Sequence, residues 1–415
     1  MHSAYNLIAN LTEKLLPAFA SFNPKLKLFV QGRKDVFTNL KNKISAEDKV
    51  FWFHAASLGE YEQAVPIMEK VKKHFPQYKI VVSFFSASGY ENKKHSKLAD
   101  VITYLPLDTK KNVNDFLNLV HPEWALFIKY EFWPNYLREL QNRNIKTLLI
   151  SGRFRENQAF FKSYGKWMQS YLKSFLHFFV QDEQSVQLLN SIGFKNVTLS
   201  GDSRFDRVAN QLTQDNNLEF IEEFLEDKIC FVAGSTWPAD EELFLNYVNS
   251  APKNVKFIIA PHEIVPGRIN ALQKKIKIPS ILFSERRSEN ISDFQVFIID
   301  TIGLLSRIYS YGDIAYVGGA AGKTGLHNIL EPATFGIPII TGANIQNFPE
   351  ALKLEKIAGL FSVRTEKEFN KLIDKLVNND KFLSKTGMIC GHFIQKNTGA
   401  TACIVDYILK ISEEN

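Results

Sequence analysis

Short apolar runs alternate along this chain with longer stretches in which Lys, Glu, Asn and Gln recur at helical spacing. In the first half the runs fall at 50–53, 80–84, 101–104, 125–128, 147–150 and 178–180. Runs this short and this apolar predict strands buried on both faces, and the amphipathic stretches between them predict the crossover helices of a parallel sheet. A polar stretch, 210–217, interrupts the pattern, which then restarts at 229–233, 255–260, 296–299, 314–317 and 338–341. The predicted organisation is α/β throughout: an N-terminal segment 1–35, then two doubly wound domains at 36–210 and 211–380. Residues 381–415 read as helices with no strand partner of their own, free to return to the first domain. No internal sequence repeat is evident; what repeats is the architecture.

The N-terminal segment supports two readings. Leu7, Ile8, Leu11, Leu15, Phe19 and Phe22 recur at helical spacing, and Lys25, Lys27, Arg33 and Lys34 follow. Either the apolar stripe packs on its own domain, or the helix lies in the plane of a membrane with the basic residues on anionic lipid. No 18 apolar residues run together, so no spanning helix is expected, and the start lacks the pattern of a signal peptide.

Composition narrows the picture only a little. A chain of 415 residues suits two domains of about 200 residues each. The net charge of +6 is too small to argue for nucleic acid, but suits an anionic substrate or membrane face. Cys230, Cys390 and Cys403 are scattered, which favours a reducing compartment over a disulfide framework.

Two turns carry most of the candidate chemistry. Each reads as an apolar strand, a glycine-containing loop and a helix with a glutamate near its start, a combination suited to a phosphate or charged sugar. In the first, Phe51-Trp52-Phe53-His54-Ala55-Ala56-Ser57-Leu58-Gly59-Glu60, the Ser-x-x-Glu pattern also spells a capping box. The other reading of Glu60 is a general base that takes a proton from an attacking hydroxyl, with Gly59 leaving the backbone open to a ligand. His54, Ser57 and Glu60 crowd polar groups at the end of a buried strand, where such sheets bind ligands. Glu131 follows the run 125–128; it is either a dipole-favoured helix start or a second site carboxylate that would repel Glu60.

In the second half, Ala233-Gly234-Ser235-Thr236 ends a strand ahead of an acidic helix start, Asp240-Glu241-Glu242. Ser235 and Thr236 either cap that helix or meet a phosphate. His262 closes the next run and is most simply structural. The second glycine turn is Gly318-Gly319, then Gly325-Leu326-His327-Asn328-Ile329-Leu330-Glu331-Pro332. Backbone amides at Gly325, His327 and Asn328 would face an anion, and Glu331, one helical turn along, would accept from a ribose diol. No Gly-x-Gly-x-x-Gly follows the first strand and no phosphate-loop motif occurs, which weakens oxidoreductase and ATPase readings. No His, Cys or Asp cluster has metal-ligand spacing, so neither a metal nor another cofactor is expected.

Taken in order, these motifs resemble the 3-deoxy-D-manno-octulosonic acid (Kdo) transferases of lipopolysaccharide synthesis. The match runs through Gln31-Gly32-Arg33-Lys34, His54-Ala55-Ala56-Ser57-Leu58-Gly59-Glu60, Glu131-Phe132-Trp133-Pro134-Asn135, Ser151-Gly152-Arg153 and Gln181-Asp182-Glu183. It continues with Gly201 to Asp206, Gly234-Ser235-Thr236, Asp300-Thr301-Ile302-Gly303, Val317-Gly318-Gly319 and His327-Asn328-x-x-Glu331-Pro332-Ala333. The chain departs from the family pattern at Pro261-His262-Glu263, where Pro-Arg-His is usual, with Arg268 the candidate replacement. It departs also at Leu326, Leu304 and Lys129.

The resemblance implies a GT-B glycosyltransferase, two facing Rossmann-like domains with an N-terminal membrane-associated helix, transferring Kdo from CMP-Kdo to a lipid A precursor with inversion and without a metal. It places Glu60 as the general base and Ser57, Gly59, Glu131 and Arg153 on the acceptor side, in domain 36–210. It places Ser235, Thr236, His262, Gly319, Gly325, His327, Asn328 and Glu331 around the CMP moiety, in domain 211–380. The expected setting is the cytoplasmic face of a Gram-negative inner membrane, with no nucleic-acid partner. Two rivals remain: another nucleotide-sugar enzyme of this fold, a UDP-sugar transferase or epimerase, and an inactive membrane-associated scaffold.

Overall fold

The computed structural model describes residues 2–20, 22–287 and 290–414, with the side chain of Lys25 left aside. The chain divides into two compact units, one of residues 1–207 with 398–415 and the other of 208–397. The first unit is built on seven strands: β1 (Lys49–Ala55), β2 (Tyr78–Phe84), β3 (Val101–Tyr104), β4 (Trp124–Ile128), β5 (Lys146–Gly152), β6 (His177–Val180) and β7 (Val197–Leu199). They form one parallel sheet in the order β3-β2-β1-β4-β5-β6-β7. Side-chain alternation along β1 shows why the strand is apolar throughout: Val50 and Trp52 enter the core on one face, Phe51, Phe53 and Ala55 the core on the other.

The second unit repeats the plan with β8 (Ile229–Thr236), β9 (Val255–Pro261), β10 (Ser280–Leu282), β11 (Val296–Ile298), β12 (Ile314–Val317), β13 (Ile339–Gly342) and β14 (Leu360–Val363). Their order is β10-β11-β9-β8-β12-β13-β14, again parallel. The first sheet's strand order reverses between β1 and β4; the second switches at the corresponding place, between β8 and β12, and differs in having β10 at the edge outside β11. Ligands of doubly wound folds bind beyond the strand ends at that reversal.

The chain re-enters the first unit at Thr398, one helix later than the 380/381 boundary drawn from sequence. The helix Asp380–Asn397 stays in the second unit, where a Cβ on Gly387 would stand 2.1 Å from the Gly336 carbonyl, an approach only glycine allows. The final helix, Ala400–Glu413, packs Ile404, Val405 and Ile408 into the first unit's core. Asp206 holds its start, accepting from Gly399 N (2.6 Å), Thr401 N (2.8 Å) and Thr401 Oγ1 (2.9 Å).

The helix His2–Ala20 does pack on its own unit, but through its polar face. His2 Nδ1 lies 2.6 Å from Tyr171 Oη, Tyr5 Oη donates to Asp108 at 2.7 Å, and Asn112 Nδ2 donates to Glu13 at 2.5 Å. The apolar stripe therefore points outward, with Leu7 71% and Ile8 63% exposed and Leu11, Leu15, Phe19 and Phe22 exposed beside them. Arg33 departs from its expected place among lipid-facing cations. It turns inward, donating to Leu105 O (2.9 Å), Phe29 O (3.0 Å) and Phe85 O (2.8 Å). Among the described residues no helix is long and apolar enough to cross a membrane.

Candidate active site

At the reversal of the first sheet, β1 and β4 deliver two carboxylates. The chain leaves β1 through Ala56 and Ser57 into the helix Leu58–His74. Ser57 occupies the N-cap position but its side chain caps nothing, so the reciprocal capping box read from Ser-x-x-Glu does not form. Glu60 instead turns back to accept from Ala56 N at 2.5 Å. It is buried, and burial and then the charge of Glu131 raise its pKa above the usual carboxylate range, against the pull of the Ala56 N–H, His54 and Lys129. A Cβ on Gly59 would meet nothing within 4 Å, so the backbone at that position is open.

Glu131 lies in the loop after β4, which turns through Lys129 at φ 64°. Its Oε2 accepts from Trp133 Nε1 at 2.8 Å and stands 3.2 Å from His54 Nε2. The other nitrogen of His54 is 2.9 Å from Ser83 Oγ, which in turn accepts from Trp52 Nε1 at 2.8 Å. A buried chain of hydrogen bonds thus runs from inside the sheet to a carboxylate whose charge reaches Glu60. Arg153, at the exit of the neighbouring β5, is paired with Asp182 at 3.2 Å, and Asp182 also caps the helix Glu183–Ser191.

The second unit gathers its candidates at the ends of β9, β8 and β12, three adjacent strands. Ser235 adopts φ 54°, and a Cβ on Gly319 (φ 99°) would stand 2.0 Å from the Gly325 carbonyl. The organising group is one that sequence reasoning left as a mere acidic helix start. Asp240, fully buried, accepts from Trp237 N (2.9 Å), Gly319 N (2.8 Å), Ala321 N (3.2 Å) and Tyr316 Oη (2.9 Å). Trp237 Nε1 donates to His327 Nε2 at 3.0 Å, and His262 stacks on both rings, 4.8 Å from Trp237 and 4.4 Å from His327.

Several expectations shift in detail. The helix that was to start near Gly325 is Leu330–Thr334, five residues long, so Glu331 stands at its start and not one turn along. His327 N is spent on Gly318 O at 3.0 Å and is not free for an anion. Asn328 Nδ2 donates to Glu331 Oε1 at 3.0 Å. The Thr236 hydroxyl is buried and donates to Glu241 Oε1 at 2.8 Å, while Arg268 pairs with the same oxygen. Arg268, the candidate for a displaced arginine, is thereby engaged inside the unit. Among the described residues no three His, Cys, Asp or Glu side chains gather as a metal-ligand set.

Sequence reasoning left Trp133, Ser83, Trp237 and Asp240 out of the site. The local signals were present, since Trp133 sits two residues from Glu131, and Asp240 is the N3 residue after the β8 turn.

Comparison with known proteins bears on both units. Residues 31–207 match the family described as 3-deoxy-D-manno-octulosonic-acid transferase (kdotransferase). The chain carries a Kdo transferase domain. A 3-deoxy-D-manno-octulosonic acid transferase of Haemophilus influenzae is 27% identical over 379 residues, 88% of this chain and 87% of that one. A transferase of the same description from Rickettsia bellii is 28% identical over 84% of each chain. A bifunctional glycosyltransferase/methyltransferase of Fusobacterium nucleatum is 28% identical over 90% of this chain, which spans 59% of that longer protein.

Solved structures give the fold. A UDP-GlcNAc 2-epimerase from Neisseria meningitidis superposes with a TM-score of 0.61 at 15% identity, covering 88% of this chain and 100% of its own. Acinetobacter baumannii MurG gives 0.52 at 12% identity, covering 88% and 99%. Two Rossmann-like units with these likenesses show the GT-B fold.

Proposed function

We propose that this protein transfers Kdo from CMP-Kdo to a lipid A precursor, with inversion and without a metal. Glu60 carries the reading. It is a buried carboxylate at the sheet reversal, and burial and a second carboxylate raise its pKa, which strengthens it as a base. Glu60 would take the proton of the acceptor's primary hydroxyl as that oxygen forms its bond to the anomeric carbon of Kdo. The bond from that carbon to the phosphate oxygen breaks, and CMP leaves with the electron pair.

The first unit would hold the acceptor, through Ser57, Gly59, Glu131 and Arg153. The second would hold the CMP moiety at the ends of β8, β9 and β12, through Ser235, His262, Gly319, Gly325, His327, Asn328 and Glu331, with the buried Thr236 supporting the turn from behind through Glu241. Fixed donors in place of a metal would stabilise the departing phosphate. The outward apolar stripe of His2–Ala20 supports peripheral attachment to the cytoplasmic face of an inner membrane, where a lipid acceptor resides.

The test is transfer from CMP-Kdo to a tetraacylated lipid A precursor, read by product mass, beside Glu60→Gln. Transfer by the parent, lost in a variant that still binds CMP, supports the reading. A folded parent that binds CMP but transfers nothing has a different acceptor. A parent that prefers UDP to CMP belongs with the UDP-sugar enzymes whose fold it shares.

A further inference from the structure

The protonation pattern of one histidine in the second unit follows from its neighbours. An indole N–H donates and never accepts, and that of Trp237 lies 3.0 Å from His327 Nε2. Nε2 must therefore present its lone pair, which leaves a neutral ring with its single proton on Nδ1. The ring is fixed in place by the bond from its own backbone N to Gly318 O (3.0 Å) and by His262 stacked against it at 4.4 Å. Trp237 is held in turn through its backbone N to Asp240, which also grips Gly319 N. Burial, helped by His262 and opposed by Asp240, brings the His327 pKa down to about 4, so the ring stays uncharged at neutral pH. Among the described residues Nδ1 forms no hydrogen bond, and it is not sealed from solvent.

We propose that Trp237 is a positioning residue that fixes His327 as an uncharged Nδ1–H donor for a phosphate oxygen of the bound nucleotide. The proposal deepens the donor assignment above and rests on it for the identity of the ligand. A neutral donor of fixed direction orients the phosphate without an ion pair that would hold substrate and departing nucleotide alike. Protonating His327 at Nε2 would set two N–H groups against each other, so the tryptophan excludes the charged form by geometry as well as by burial.

The experiment uses the full chain labelled with nitrogen-15. Long-range proton–nitrogen correlations at neutral pH should show His327 protonated at Nδ1 and bare at Nε2. Trp237→Phe keeps a stacking ring and deletes the N–H; the His327 ring should then sample both tautomers. CMP binding should weaken about fivefold in that variant, while cytidine, which lacks the phosphate, should bind within about twofold of the parent. A proton on Nε2 in the parent, an unchanged affinity for CMP, or an equal loss for cytidine would overturn the proposal. Should Trp237→Phe not fold, His327→Gln keeps an acceptor for the indole and an uncharged donor. It should bind CMP within about threefold of the parent, and a loss beyond about tenfold counts against the proposal. A parent that binds neither CMP nor cytidine removes the donor assignment, while the ring-nitrogen measurement still decides the tautomer.

Discussion

Asp240 is the group on which the second unit's loops depend, and two substitutions there separate its hydrogen bonding from its shape. Its Oδ2 takes Trp237 N and Gly319 N, and its Oδ1 takes Tyr316 Oη and Ala321 N. Asp240→Ala leaves all four donors without this partner, those of Tyr316 and Gly319 buried and those of Trp237 and Ala321 half-buried. At about 1 kcal/mol each, the low end for a buried unsatisfied donor, the four cost about 4 kcal/mol. Asp240→Asn behaves differently because one of the four can reverse. With the amide oxygen at the Oδ2 position, both backbone donors there are kept. The amide nitrogen then faces Tyr316, whose hydroxyl oxygen accepts while its own proton loses its acceptor, and Ala321 N is orphaned. The cost falls to about 1–2 kcal/mol. Urea unfolding of the full chain, with near-ultraviolet dichroism and CMP binding followed together, measures both. CMP affinity should fall steeply in Asp240→Ala and modestly in Asp240→Asn, because Gly319 and Trp237 are held by this one carboxylate. The reasoning fails if Asp240→Ala unfolds within 1 kcal/mol of the parent, or if the two substitutions cost the same.

The remaining predictions test other links. Glu60 must be ionised to take a proton, so activity falls as pH drops through its raised pKa; Glu131→Gln removes a cause of that rise, and the acid limb of the pH–rate profile should move to lower pH. A buried carboxylate with a raised folded-state pKa loses stability as pH rises through it, so Glu60→Gln should melt at or above the parent temperature in mild alkali, with the gap closing on acidification. Leu11→Asp, on the outward stripe, should reduce binding to anionic vesicles at least about tenfold without changing the melting temperature, since insertion of each stripe residue contributes about 1.5–3 kcal/mol at most. Asp206→Ala should cost about 0.5–2 kcal/mol and speed amide exchange across 400–413, because it uncaps the helix that brings Ile404, Val405 and Ile408 into the first core.

What could be read from the sequence divides along physical lines. Every interior strand was legible, because burial on both faces writes a continuous apolar run. The three strands not read, β7, β10 and β14, are all at sheet edges, and none of them is buried along its whole length, so no continuous apolar run marks them. Residue types at the site were legible where they sit in one turn, as with His54, Ser57, Gly59 and Glu60. Their pairings were not, because His54 meets Glu131 across 77 positions and Trp237 meets His327 across 90. Periodicity found the N-terminal helix but not which face it buries. That depended on Tyr5, Glu13 and His2 finding Asp108, Asn112 and Tyr171, contacts that no local pattern records. Spacing also misplaced the last site helix, because the loop ahead of it, which begins at Gly319 and Ala321 held by Asp240 from another element, runs without helix to Leu330.

The two units use one architecture, a parallel sheet with a switch point, for opposite electrostatic purposes. At the reversal of the first sheet the chain places two carboxylates, and the polar groups behind them, His54, Trp133 and the Ala56 amide, serve to hold those carboxylates in place. On the proposed reading burial then works for function, because a raised pKa makes the Glu60 carboxylate a stronger base. At the same point in the second sheet the carboxylate is turned inward. Asp240 is consumed by amides and a phenol, and its effect is to aim an indole N–H at a histidine and so keep that histidine neutral. Burial of a titratable group therefore makes a carboxylate more basic in one unit and keeps an imidazole uncharged in the other. What distinguishes them is not the fold, which is the same, but whether the buried group is an acid next to another acid or an imidazole facing a group that can only donate.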